Sequence, residues 1–281
     1  MEATIVNELI SGTGMILVGT IAAVLWWWIS RAQLRWFAVG VGLWVVAVAV
    51  KVGIAILTNG PVIGFFKGHL PNWLFITLGG LYVGVESSLC EIGLTLLLVL
   101  LWRAPGRDAG RATAVGTGAG AFEAILLGVV AVCTGLVFAF VDHPQVAEAR
   151  DVAEKVMATT PLIWLIGSVE RVLAILCHMS SRTMVLLGVT KRRYWLIFWG
   201  FLLFTYIDSA AGAAHVSGSV GRVSMWWIEL AIVPAAAASV LVLPWCWRKW
   251  GKPEEAAPAF PYEPAVESPE HELPYEEGDN T

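Results

Sequence analysis

Seven stretches of predominantly apolar residues, each about 20 residues or longer, run through this 281-residue chain and limit its fold more sharply than any other feature. They cover approximately 11–30, 36–57, 73–102, 112–141, 160–189, 194–217 and 224–247. A helix needs about 20 such residues to cross the hydrocarbon layer of a bilayer. Backbone groups inside lipid must find partners within their own segment or in a closed barrel, and barrel strands show as alternating segments of about ten residues. Continuous runs of this length therefore specify helices. Charged residues make up only 14% of the chain and hydrophobic ones 57%, against about 25% charged in a soluble domain. The expected fold class is all-α, a polytopic membrane helix bundle of about seven transmembrane helices. Nothing in it suggests a nucleic-acid partner. The third, fourth and fifth runs approach 30 residues, so they must tilt, kink or extend past the bilayer.

The charges between the runs set an orientation. Arg31 and Arg35 follow the first run, Arg103, Arg107 and Arg111 the third, Lys191, Arg192 and Arg193 the fifth, and Arg248, Lys249 and Lys252 the seventh. The loop after the fourth run is mostly acidic. Basic loops stay on the cytoplasmic side, so the N-terminus is expected outside and the C-terminus inside, in a bacterial cytoplasmic (inner) membrane. Clustered Trp residues at 26–28, 226–227 and 245–250 read as interfacial anchors. The segment 144–157 has the pattern of a short amphipathic helix, but its charges read more simply as a solvated loop.

Two regions are expected: a seven-helix domain over 1–250 and an acidic, Pro-rich disordered tail over 251–281 on the cytoplasmic side. The tail carries nine carboxylates against one Lys, which leaves residues 1–250 at +4 although the whole chain is at −4. Pro261-Tyr262-Glu263 and Pro274-Tyr275-Glu276 repeat a tripeptide there, either a docking motif for a cytoplasmic partner or a product of biased composition. The four cysteines form no CxxC pair and lie in apolar stretches, as packing residues do.

An uncompensated charge at the bilayer centre costs at least about 2.5–3.5 kcal/mol, so intramembrane ionisable residues need a reason. Lys51 can snorkel and Glu229 lies near an interface, and both are set aside; Glu86 also lies within a span. Glu91, Glu123, Glu170 and Asp208 come from four different runs. At 1.5 Å per residue each falls in the central part of a layer about 30 Å thick. Glu170 and His178 lie on neighbouring faces of the fifth run, at i and i+8, and Arg171 can hold a carboxylate charged. Gly116, Gly118 and Gly120 precede Glu123, and small residues let helices approach closely. Four acids at one depth suggest a shared polar chamber; a salt-bridge network fixing helix register is the competing explanation. The third to sixth runs would form the working part, and the first, second and seventh the scaffold.

These residues resemble the YhfC family of intramembrane proteases, distant relatives of the glutamate-dependent CAAX-processing membrane endopeptidases. The resemblance runs from about Leu81 to Asp208. Gly116-Thr117-Gly118-Ala119-Gly120-Ala121-Phe122-Glu123-Ala124 is similar to the family's Gly-x-Gly-His-Gly-Gly-x-Glu-Ala block. Glu170-Arg171, Ala174 and His178 are similar to its Glu-Arg-x-x-Ala-x-x-x-His block, and Phe204 to Asp208 to its His-x-x-x-Asp block. Cys90-Glu91-Ile92-Gly93-Leu94 is a fainter match to Glu-Glu-x-x-Arg. Ala119 and Phe204 stand where the family has His, Cys90 where it has Glu, and Leu94 where it has Arg.

The resemblance implies peptide-bond hydrolysis within the membrane, on transmembrane protein or peptide substrates. Glu123 or Glu170 would act on water and His178 would serve as acid or oxyanion donor. Arg171 would keep the carboxylates ionised, Asp208 would orient a neighbour, and Glu91 is the sixth candidate. A divalent metal belongs to such a family, yet zinc prefers about three protein ligands, often two of them His, and only His178 is well placed. No metal ligand or cofactor is therefore assigned. Two other readings stay open: an inactive relative that binds transmembrane partners, and a small-solute or proton-coupled transporter.

Overall fold

The computed structural model describes residues 2–251, and these are almost entirely helical. The acidic tail and its tripeptide repeat lie outside the described residues. The helices are α1 (Glu2–Ser30), α2 (Leu34–His69), α3 (Asn72–Leu101), α4 (Ala109–Phe140), α5 (Pro144–Thr159), α6 (Ile163–Thr190), α7 (Trp195–Val216) and α8 (Trp226–Trp250). All but α5 are long and apolar enough to cross a membrane. The chain is an integral, multi-pass membrane protein.

Two expectations need correction. The second run does not end at 57: α2 continues through Pro61 to His69. Once a helix has started, each further residue except Pro61, which has no N–H, adds a hydrogen bond at little cost. The segment after α4 is a helix rather than a loop. The His143 side chain accepts from the Gln145 N–H at its N-terminus, and Pro144 occupies the first helical position, where its missing donor costs nothing. Arg150 then donates to the Phe138 carbonyl at 2.6 Å, tying α5 back to α4.

Helix α6 is the centre of the bundle. Residues 177–189 are all buried, which a helix achieves only when neighbours cover every face. Those neighbours are α1, α3, α4, α7 and α8. Close approach depends on small residues. A Cβ on Gly116 would stand 2.6 Å from the Met179 Cα, and one on Gly118 would stand 2.2 Å from the Phe37 carbonyl oxygen. The glycine block thus lets α4 lie against α6 on one side and α2 on the other, two turns before Glu123. Gly12 and Gly128 do the same between α1 and α4.

One end of the bundle is closed by an apolar cluster that includes Trp36, Val99, Ala112, Leu186 and Trp250. The Thr190 hydroxyl and the Trp250 indole both donate to the Gly106 carbonyl, each at 3.0 Å, and lock the short turn between α3 and α4. Cys90, Cys177 and Cys246 are buried and Cys133 is exposed, all as free thiols.

Candidate functional site

Beyond that closed end, side chains from α2, α3, α4 and α6 join in one chain of alternating charge. Glu170 Oε1 accepts from Arg171 Nη2, and Arg171 Nη1 donates to Glu123 Oε1, both at 2.5 Å. Glu123 Oε2 accepts from the Trp44 indole at 2.7 Å and lies 3.0 Å from His178 Nε2. His178 Nδ1 is 2.7 Å from Arg182 Nη1. Arg182 Nη2 donates to Glu91 Oε2 at 2.8 Å, and Glu91 Oε1 accepts from Lys51 Nζ at 2.9 Å. Lys51 also donates to the Ser87 hydroxyl at 3.0 Å.

Of the six residues singled out from the sequence, five stand in this chain: Glu91, Glu123, Glu170, Arg171 and His178. Asp208 reaches it from α7, lining a cavity of about 50 Å³ together with Glu123, Glu170, Arg171 and His178. Three more members were not anticipated. Lys51 reads from the sequence as a snorkelling side chain, yet it is bound to Glu91 within the bundle. Trp44 belongs to α2, which was expected to be scaffold only. Arg182 is 0% exposed and holds Glu91 and His178 at once. The signal for Arg182 was present in its position, four residues after His178 and eleven after Arg171, on the same stripe of a helix. Glu229, expected near an interface, is buried in α8, and its Oε2 has no partner.

The tautomer of His178 follows from chemistry. Arginine stays protonated and has only donors, so Nδ1 facing Arg182 must accept. The ring proton then sits on Nε2 and is donated to Glu123. Phe204 fills the position where the family's last block begins with His. Its ring packs edge-on to His178 at 5.0 Å between centroids, with the Arg182 guanidinium 5.5 Å above its face. Leu94 stands where the family has an arginine, and the guanidinium that binds Glu91 comes from Arg182 on α6.

Glu91, Glu123 and His178 each offer one ligand atom, and these atoms lie within 4.8 Å of one another. In number, type and spacing they fit a divalent ion, since catalytic zinc commonly takes three protein ligands. The obstacle lies at His178. Each Glu91 and Glu123 oxygen accepts a hydrogen bond and keeps a further lone pair, whereas the His178 nitrogen facing Glu123 carries a proton. Binding through Nε2 would move that proton to Nδ1, where it would meet the Arg182 donor. Metal loading would require Arg182 to let go.

Comparison with known proteins gives one result. The family model described as YhfC intramembrane metalloprotease matches residues 14–232, which span from α1 into α8. No curated protein and no solved structure matches the chain.

Proposed function

The chain belongs to the YhfC intramembrane metalloprotease family, and from that membership and the polar chain through its centre we propose that it hydrolyses peptide bonds of membrane-embedded segments. The observation that carries this reading is the meeting of Glu170, Arg171, Glu123, His178 and Asp208 around the cavity of about 50 Å³. That space holds one or two water molecules, each occupying about 30 Å³ in the liquid. A peptide needs more room, so a substrate must part the helices that line it.

The two catalytic glutamates divide the work by accessibility. Glu123 Oε2 already accepts from Trp44 and His178, and its side chain is 17% exposed. Glu170 is 37% exposed, and its bond to Arg171 is made through Oε1. Glu170 therefore takes the proton of the attacking water as the water oxygen bonds to the scissile carbonyl carbon. It returns that proton to the leaving amine as the C–N bond breaks. Arg171, whose Nε–H has no partner, supplies a donor for the developing oxyanion. Glu123 holds Arg171 and His178 in position, and Asp208, which lines the same cavity, orients the water. No step passes through a metal, because the hydrogen-bonding of the ligand set opposes one. The basic loops support an N-terminus outside and a C-terminus in the cytoplasm of a bacterial inner membrane.

The test uses purified protein in liposomes with a panel of transmembrane peptides, beside Glu170→Gln and a Glu123→Gln, Glu170→Gln double variant. Cleavage by the wild type, lowered about 10²-fold or more in Glu170→Gln, supports the reading. Equal cleavage by wild type and double variant, or no cleavage of any peptide, overturns it. A second reading, a relative that binds transmembrane partners without cutting them, is favoured by Ala119 and Phe204 standing where two imidazoles belong. Retained peptide binding with no cleavage would select it.

A further inference from the structure

A second and larger cavity, about 650 Å³, lies between α2, α3 and α7. Glu86, Asp208, Asn59, Ser87, Lys51 and His215 are its polar lining. Asp208 and Ala211 also line the small cavity beside Glu170, so the two spaces share a wall.

Glu86 is 8% exposed, and its Oε1 is buried without a partner. A carboxylate in a low-dielectric site costs several kcal/mol unless it is paired or protonated. The nearest ammonium is already committed, because Lys51 binds Glu91 and Ser87. Lys51 and Arg182 both bind Glu91, which leaves Glu86 without a cation of its own. The Oδ1 of Asn59 is also buried and unpartnered, so the unmet capacity is for donors. The cavity is much larger than a bare ion, and Val52, Ala55 and Val83 give it apolar walls. An acceptor cluster at the end of an apolar slot matches a Lys or Arg side chain, whose methylene stem packs on apolar surface while its head is charged.

We infer that this cavity binds an ammonium or guanidinium group of a membrane-embedded peptide, with Glu86 as first acceptor and Asp208 as second. The peptide as carrier rests on the proteolytic reading, whereas the cation site stands apart from it. A basic residue seated here would deliver the neighbouring backbone across the Asp208–Ala211 wall to the water cavity. Glu86 would thus set substrate specificity.

The probes are hexylammonium and hexylguanidinium, with hexanol as the uncharged control, added to the full-length protein in detergent while thermal unfolding is followed by Trp fluorescence. Both cations should raise the unfolding midpoint saturably, and hexanol should not. The shift should vanish in Glu86→Gln and persist in Glu229→Gln, which removes a buried acid elsewhere. Ala55→Phe fills the slot without altering charge and should abolish the shift too, which covers the case in which Glu86→Gln fails to fold. In parallel, peptides differing only by Lys, Arg or norleucine at one scanned position are compared. The basic ones should be cut about tenfold faster or more by the wild type, and at the norleucine rate by Glu86→Gln. No shift with either cation, or an equal shift in Glu86→Gln, overturns the inference, because a neutral structural Glu86 predicts both. A shift lost in Glu86→Gln with no peptide cleaved keeps the cation site and overturns the proteolytic reading alone.

Discussion

Replacing Arg182 by Met removes the guanidinium that joins Glu91 to His178 while keeping much of the side-chain volume. Two bonds disappear, at 2.8 Å to Glu91 Oε2 and 2.7 Å to His178 Nδ1. Arg182 is 0% exposed and Glu91 2% exposed, so water cannot replace the lost partner. Breaking a buried pair from one side costs about 3–5 kcal/mol, far above the roughly 0.6 kcal/mol average of interhelical hydrogen bonds in a membrane protein. Lys51 still neutralises part of Glu91, which places the expectation at the lower end, about 3 kcal/mol. At about 2–4 °C per kcal/mol for a chain of this size, the unfolding midpoint should fall by roughly 6–12 °C. The double variant Arg182→Met, Glu91→Gln removes both buried charges of the pair and leaves only the 30% exposed Lys51 without its carboxylate, so it should recover part of that loss, giving a coupling within the roughly 0.5–3 kcal/mol seen for contacting residues. Nitrogen NMR of labelled His178 adds an independent readout: the wild type should show the proton on Nε2, and Arg182→Met a mixture of tautomers. A single variant within about 1 °C of wild type, or a double variant as unstable as the sum of the singles, would refute the argument that Arg182 is the keystone of the network.

Trp44→Phe removes the indole donor to Glu123 Oε2 and should cost about 1.5–3 kcal/mol, the worth of a hydrogen bond to a charged group; thermal unfolding measures it. Gly12→Ala would place a Cβ 2.6 Å from the Gly128 carbonyl oxygen, pushing α1 off α4 at a cost of about 1–3 kcal/mol. An unchanged midpoint would show that the two helices part freely there. Phe204→His would set a second imidazole beside His178 but leave Arg182 on Nδ1, so the variant should retain no more Zn²⁺ after gel filtration than the wild type; a higher metal content would show that the missing His, not Arg182, controls the site. A chelator such as EDTA should leave wild-type cleavage unchanged, and loss of activity restored by Zn²⁺ would contradict the metal-free reading of the hydrogen bonds.

Much of the polar centre is legible along the chain because lipid makes each intramembrane charge expensive: depth marks Glu91, Glu123, Glu170 and Asp208, and helix spacing from Glu170 marks His178. Lys51 is not marked in this way, because a flexible side chain near a helix midpoint can snorkel or pair, and only the position of α3 shows that it pairs. Arg182 sat on the His178 face at i+4, but its value lies in reaching Glu91 on another helix, which one-dimensional spacing does not encode. The substitutions behave similarly. Leu94 offers no guanidinium, and the one that binds Glu91 comes from Arg182 on α6.

The sequence by itself determined the seven long apolar helices, because span length and the absence of water for backbone groups leave no other solution. It also determined that acids from four of them share a depth. Whether those acids were free to bind a metal or already held by cations depended on helix rotation and on which glycines permit close approach. Rotation and approach are set by packing against neighbours, and α6 has them on every side. Only the tertiary structure could show that Arg182 occupies the second nitrogen of His178, and that Glu86, with a buried unpartnered oxygen, lines an adjoining cavity.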